Sequence, residues 1–114
     1  MSRKEERTVY RALVEAAESG RGCALATILS TKGSTPRKVG SKMLIDPGGE
    51  HVGTIGGGCG EGEVIEAAFE VIRSGVPETV RVELTDDILS WSPSVCGGVM
   101  RIFIEPVPPS TPDS

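Results

Sequence analysis

Apolar residues recur at helical spacing in two segments of the chain, and a glycine follows each segment. The first segment runs from Lys4 to Ser19 and precedes Gly20, and the second runs from Glu61 to Ser74 and precedes Gly75. Their predicted buried stripes contain Val9, Leu13, Ala16 and Ala17, widened by Tyr10 and Val14, and in the second segment Val64, Ile65, Ala68, Phe69, Val71 and Ile72. The pattern therefore predicts two amphipathic helices.

The remaining apolar segments have the pattern of strands. Cys23 to Ser30 is apolar almost throughout, which is typical of a central strand covered on both faces. Shorter strands are predicted at Met43 to Ile45, Glu50 to Ile55, Thr79 to Leu84 and Val99 to Ile104. The turn residues Asp46-Pro47-Gly48-Gly49 join the first two of these into a hairpin, and Pro106 is expected to stop the last strand.

This order of elements predicts an α+β or α/β fold. We expect a single layer structure, with a mixed sheet of about five strands on which two helices pack. Residues 1–106 are expected to form one domain, and the residues from 107 to 114, rich in proline and serine, are expected to be a disordered tail.

Composition narrows the function classes. The chain has 114 residues, a net charge of −4, twelve dispersed basic residues and few aromatic residues, which argues against a nucleic-acid partner. No apolar run approaches the length of a membrane span, and the charged start lacks the core of a signal peptide, so a cytoplasmic protein is expected. Three cysteines without C-x-x-C spacing predict neither a disulfide framework nor a zinc site.

A glycine-rich segment with one cysteine lies between a predicted strand and the second helix. Gly56, Gly57 and Gly58 precede Cys59, and bare backbone at such positions lets a bound group approach closely. The free N–H groups and positive dipole of the following helix favour an anion and the thiolate form of a cysteine. Neither Walker A nor dinucleotide-binding spacing is present. The alternative is a turn in which Cys59 is a small buried residue.

The polar loop from Thr31 to Lys42 is a second candidate site. Ser34, Thr35 and Ser41 carry hydroxyl groups that can donate to anionic oxygens, as can backbone N–H groups, and Arg37 can do so with two parallel hydrogen bonds. The alternative is a solvated surface loop.

A third candidate is the short run Cys96-Gly97-Gly98, which again places a thiol beside bare backbone. Cys59 and Cys96 could converge on one site, whereas the alternative is a turn or bulge before the last strand. Cys23 has no such surroundings and is predicted to lie in the core, and His51 is predicted to be a surface or structural residue.

Several of these segments, in this order, resemble the N-terminal domain of the XdhC/CoxI family, the accessory proteins of xanthine dehydrogenase and related molybdenum hydroxylases. The resemblance is carried by residues 24–30, Gly33-Ser34-Thr35-Pro36-Arg37 with Gly40, Lys42 and Met43, the run from Gly53 to Cys59 with Glu61 and Val64, and Cys96-Gly97-Gly98 with residues 102–106. It extends from the first helix to Pro106.

The resemblance implies a function for the three candidate segments. It implies non-covalent, transient binding of the molybdenum cofactor, assistance in its sulfuration, and its insertion into a molybdenum hydroxylase apo-enzyme, with a cysteine desulfurase as a second partner. The cofactor-binding residues would be Cys59, Cys96, Gly56, Gly57, Gly58, Ser34, Thr35, Arg37, Gly97 and Gly98, and Cys59 would be the molybdenum contact. Such a protein is a cofactor chaperone rather than a catalyst, so no catalytic residue is predicted.

Other functions stay open at this point. A persulfide relay through Cys59 and Cys96 would make the protein an enzyme of sulfur transfer, and a plain interaction module would bind no cofactor. A Rossmann-type domain normally follows in the family, so a separately encoded partner of that type is expected. A homodimer is also expected, and neither a nucleic acid nor a membrane is expected as a partner.

Overall fold

A computed structural model describes residues 2–33, 35, 37–48, 50–55, 60–83 and 98–108. Two helices and five strands occur within these residues, in the order α1 (Arg3–Glu18), β1 (Cys23–Lys32), β2 (Lys42–Ile45), β3 (Val52–Gly53), α2 (Glu61–Ser74), β4 (Glu78–Glu83) and β5 (Val99–Val107). The α+β class, with five strands and two packed helices, is thereby confirmed.

The strands form one sheet with the order β3-β2-β1-β5-β4. All neighbouring pairs among the described strands are antiparallel, which corrects the prediction of a mixed sheet. The physical reason is the path of the chain. Helix α2 returns along the sheet, so that β4 runs in the same direction as β1, and β5 then pairs antiparallel with both.

The two helices pack on opposite faces of the sheet. Alternate residues of β1 point to opposite faces, so Ala24, Ala26 and Ile28 form one core with α2, whereas Cys23 and Leu25 form another with α1. Cys23 is 1% exposed, as the sequence predicts for a core residue. We call the two sides of the sheet the α2 face and the α1 face.

Several residues of the predicted helix stripes are exposed. Tyr10 and Val14 of α1 are 42% and 50% exposed, and Phe69 of α2 is 45% exposed. The fully buried stripe of α1 is narrow, with Val9 and Ala16 at its centre. The reason is that α1 packs mainly on β2 and β3 and leaves part of the α1 face of β1 and β5 uncovered.

The last strand extends beyond its predicted end. β5 continues through Pro106 to Val107, and Pro106 pairs with Ala24 of β1. A proline is tolerated there because the pairing of β5 with β4 ends at Ile104. The edge of β5 that faces β4 is therefore unpaired at Pro106, where no backbone N–H is needed. Of the predicted tail, Val107 belongs to β5, and residues 109–114 lie outside the described residues.

Candidate functional site

Three of the loops join the sheet at one of its ends. The register pairs Lys32, the last residue of β1, with Val99, the first residue of β5, and pairs Val99 with Glu83, the last residue of β4. The start of β2 and the end of β3 lie at this same end, because both strands are antiparallel to their neighbours. We call it the loop end of the sheet.

All three segments singled out by the sequence are attached to the loop end. The polar loop leaves β1 there and returns into β2, the glycine segment follows β3 and leads into α2, and Gly98 immediately precedes β5. The convergence follows from the strand order, which places β5 beside β1 although the two are far apart in sequence. The described residue Gly98 is buried.

Hydrogen bonds hold the polar loop at its base and within it. At its base, Ile28 N donates to Ser41 O at 3.0 Å and Gly40 N donates to Ile28 O at 2.9 Å, which extends the pairing of β1 with β2. Within the loop, the Thr35 hydroxyl donates to the Arg37 carbonyl at 3.0 Å.

Arg37 connects this loop to the first helix. Its guanidinium pairs with the carboxylate of Glu5, near the start of α1. The hydrogen bond from Arg37 lowers the pKa of Glu5, with smaller contributions from Ser2 and from the charge of Arg37. The predicted role of Arg37 as an anion ligand stays a prediction, and the geometry gives it the additional role of anchoring the loop to α1.

Ser41 is the buried polar residue of this region. It is 0% exposed, and its hydroxyl has no hydrogen-bond partner in the described part of the chain. Because Ser41 opposes Ile28 and is two residues before Met43, its side chain lies on the α2 face. A buried hydroxyl without a partner costs about 1–3 kcal/mol, so a partner for Ser41 is expected outside the described residues or in a bound group.

Helix α2 begins at the loop end with its positive pole. Its N-cap is Gly60, with a φ of 75°, and a glycine has no side chain with which to cap the helix. The first N–H groups of a helix have no acceptor within the helix, so those of Glu61, Gly62 and Glu63 can donate to a group outside it. The Glu61 carboxylate accepts a hydrogen bond from the Thr54 hydroxyl, which holds this negative charge beside the end of β3.

The structure describes three of the predicted cofactor-binding residues, and all three lie at or next to the loop end: Thr35, Arg37 and Gly98. The predicted residues Ser34, Gly56, Gly57, Gly58, Cys59, Cys96 and Gly97 lie outside the described residues. Sequence reasoning missed the buried position of Ser41. The signal was present, because Ser41 continues the alternation of Met43 and Ile45 on one face of β2.

Two other groups of polar residues lie away from the loop end. Cys23 begins β1 at the opposite end, and burial raises the pKa of its thiol, with a smaller contribution from the charge of Asp46. Arg21 pairs with Asp46 at 3.0 Å, and Asp46 N donates to His51 Nδ1 at 3.1 Å. His51 therefore supports the hairpin, as the sequence predicts for a structural residue.

The described ranges lack two further classes of site. They contain no cluster of three His, Cys, Asp or Glu side chains that could hold a metal ion. Neither of their two helices has the length and apolar character needed to cross a bilayer.

Comparison with known proteins relates the chain to one family and its members. The profile of the XdhC and CoxI family matches residues 16–83. The chain is 34% identical over 77 residues to the molybdenum cofactor insertion chaperone PaoD of Escherichia coli strain K12, covering 68% of this chain and 24% of PaoD. It is 35% identical over 103 residues to a probable xanthine dehydrogenase subunit of Bacillus subtilis strain 168, covering 86% of this chain and 29% of that protein.

A solved structure has the same fold. The crystal structure of a xanthine dehydrogenase from Bacillus halodurans aligns with a TM-score of 0.72 and 33% identity, covering 88% of this chain and 30% of that one. The chain thus spans less than a third of the length of these three relatives.

Proposed function

The chain belongs to the XdhC and CoxI family, and from this premise we propose that it binds the molybdenum cofactor at the loop end and delivers it to a xanthine dehydrogenase-type molybdenum hydroxylase. The relative PaoD is named a molybdenum cofactor insertion chaperone, which supports this class of function. The protein would then act as a carrier, and the cofactor would be its transient, non-covalently bound cargo.

The observation that carries the proposal is the buried, unpaired hydroxyl of Ser41 at the loop end, within the part of the chain that the structure describes. The molybdenum cofactor combines a phosphate with a dithiolene-bound metal-oxo group, so a carrier has to donate hydrogen bonds to anionic oxygens. In this proposal the first N–H groups of α2 supply donors on the α2 face, and the Ser41 hydroxyl, which is covered in this structure, becomes a further donor when the cofactor binds. The adjoining polar loop, with Thr35 and Arg37, would add donors at the same end.

The two glycine-flanked cysteines complete the proposed site. Thiolates are soft ligands that suit a metal already bound to sulfur, and we propose Cys59 as the molybdenum contact, with Cys96 near it. Cys59 is bonded to Gly60, the N-cap of α2, and Cys96 lies two residues before Gly98. Both sequence positions are thus close to described residues of the loop end.

The proposed partners follow from the cargo. They are the apo-hydroxylase, a cysteine desulfurase that supplies the cofactor's terminal sulfur, and a Rossmann-type domain encoded separately. We propose the cytoplasm as the compartment, because the spacing of the three cysteines does not suggest a disulfide framework, and proteins of that compartment typically lack one.

Anaerobic gel filtration with cofactor released from a molybdenum hydroxylase tests the proposal. Molybdenum is expected to co-elute with the wild-type chain, and Cys59→Ala is expected to reduce this retention more than the matched Cys23→Ala substitution in the core. Equal retention by the two variants would contradict the role of Cys59. If desulfurase and cysteine leave Cys59 and Cys96 unmodified in the mass spectrum, a persulfide relay through these residues is ruled out.

A further inference from the structure

One side of α1 is cationic along the first half of the helix. Arg3, Lys4, Arg7 and Arg11 line a shallow depression of about 520 Å³ together with Thr8, and all five residues are exposed. At about 100° per residue, their positions fall within roughly 140° of the helix circumference. We call this surface the basic stripe.

The basic stripe faces away from the rest of the molecule. Val9 and Ala16 are the fully buried residues of α1, and they lie on the opposite side of the helix from the basic stripe. The stripe begins at the loop end, because Glu5 near the start of α1 pairs with Arg37 of the polar loop. A partner bound along the stripe therefore reaches the loop end without displacing any part of the described core.

The carboxylates of α1 do not neutralise the basic stripe. Glu5 pairs with Arg37 on another side of the helix, and Glu6 lies roughly a third of a turn from the middle of the stripe. Glu15 and Glu18 lie about one and two turns beyond its last cation. None of these four glutamates lines the depression, and within the described residues none forms an ion pair with a cation of the stripe.

Folding alone gives no reason for the basic stripe. Cations at intervals of four residues repel one another on a helix, and cations near its start oppose its dipole. The chain has sixteen acidic residues and twelve basic ones, yet within its described residues the structure pairs no carboxylate with these four cations. Their positive charge is therefore available to a partner.

The spacing of the cations matches that of an acidic helix. Arg3, Arg7 and Arg11 follow each other at intervals of four residues, which is about 6 Å along the helix axis. A second helix with glutamate at every fourth position presents carboxylates at the same interval. Tyr10 and Val14 are 42% and 50% exposed along one edge of the stripe, so they offer apolar contacts beside the ion pairs.

Other anionic partners fit the basic stripe less well. Proteins that bind single-stranded nucleic acids stack the bases on several aromatic side chains, and Tyr10 is the one aromatic residue of α1. A helix that lies on a membrane inserts its apolar face into the bilayer, whereas the apolar stripe of α1 is buried on the sheet. The surface therefore favours a protein partner.

We propose that the basic stripe is a docking surface for an acidic helix of a partner protein. Ion pairs at an exposed surface act mainly on the rate and specificity of association, and they weaken as the salt concentration rises. The proposal is independent of cofactor binding at the loop end.

Nuclear magnetic resonance tests the proposal directly. The isotope-labelled chain is titrated at low salt with a helical peptide that carries glutamate at every fourth position, and the largest amide shifts are expected between Arg3 and Arg11. Arg7→Glu is expected to raise the dissociation constant of the peptide about fivefold or more, because an attractive pair becomes a repulsive one. The matched control Arg73→Glu, on the exposed side of α2, makes the same change in net charge and is expected to leave the constant nearly unchanged.

A peptide with glutamine in place of glutamate is expected to cause no shifts in the basic stripe, and circular dichroism checks that each variant is folded. Three results would overturn the proposal: no shifts with the glutamate peptide, shifts that lie outside α1, or the same dissociation constant for Arg7→Glu and Arg73→Glu. Tighter binding of a short oligothymidylate or of phosphatidylserine vesicles at the stripe would also overturn it, because the partner would then be a nucleic acid or a membrane.

Discussion

Ser41 combines a cost in stability with a use in binding. Its hydroxyl is buried, and the described part of the chain offers no hydrogen bond to replace the one that it loses to water on folding. Ser41→Ala is therefore expected to raise the free energy of unfolding by about 1 kcal/mol in urea titrations. Ser30→Ala is the control. Ser30 lies at the same end of the sheet, opposite Arg101 and on the α1 face, and its replacement is expected to change the free energy of unfolding little. Clear destabilisation by Ser41→Ala would mean that the hydroxyl already donates within the protein.

The Glu5–Arg37 pair is expected to make the stability of the folded protein depend on pH. Because the folded state lowers the pKa of Glu5, the pair stabilises the protein above the unfolded pKa of about 4.3, and the contribution disappears as pH falls through the folded pKa. Glu5→Gln is expected to lower stability slightly at pH 7 and to match the wild type at strongly acidic pH, as measured by urea titrations across this range. Glu6→Gln is the control. A difference between Glu5→Gln and wild type that persists in acid would contradict this account of the pair.

Single residues also define what the sequence can reveal about the site. Thr35 and Arg37 were identifiable as donors from their chemistry alone. The partner of Arg37 was not, because Glu5 lies thirty-two residues away and only the packed position of α1 brings it near. The burial of Ser41 likewise depends on α2, which covers that face of the sheet.

At the scale of the elements, Gly53 lets the backbone of β3 lie close to β2 and to α1. It has a φ of +86°, and a Cβ there would lie 2.6 Å from the Lys42 carbonyl oxygen and 2.9 Å from Val9 Cγ2. Gly53→Ala is therefore expected to destabilise the protein by about 2–3 kcal/mol. Gly62→Ala in α2, where a Cβ meets nothing within 4 Å, is expected to stabilise it by about 0.5–1 kcal/mol. Thermal or urea unfolding measures both, and a shift in the same direction would contradict the prediction.

Local patterns predicted the elements better than their arrangement. Helix α2 has the predicted bounds, because its apolar periodicity and Gly75 are local signals. The exposure of Tyr10 and Val14 could not be predicted, because it depends on how much of the sheet α1 covers. Strand direction has the same limitation, since the pairing of β5 with both β1 and β4 joins residues distant in sequence.

At the scale of the whole molecule, the antiparallel order of the strands separates two surfaces. The polar loop, the start of α2 and the start of β5 all lie at the loop end. The groove lies elsewhere, beside α1 on the uncovered part of the α1 face. The sequence identified the candidate loops, and the strand order brings their described parts to one end. The proposed carrier can therefore bind its cargo at one end of the sheet, away from the groove beside α1.

The proposed function requires the loop end to bind the molybdenum cofactor through the α2 face. Its most direct test is an anaerobic titration with released cofactor, in which molybdenum retained by the chain is measured for the wild type, Ser41→Ala and Ser30→Ala. We expect tight retention by the wild type and Ser30→Ala, and affinity about tenfold weaker for Ser41→Ala, because one hydrogen bond to an anionic oxygen is lost. No retention by the wild type, or equal affinity of all three proteins, would contradict binding of the cofactor through Ser41 at the loop end.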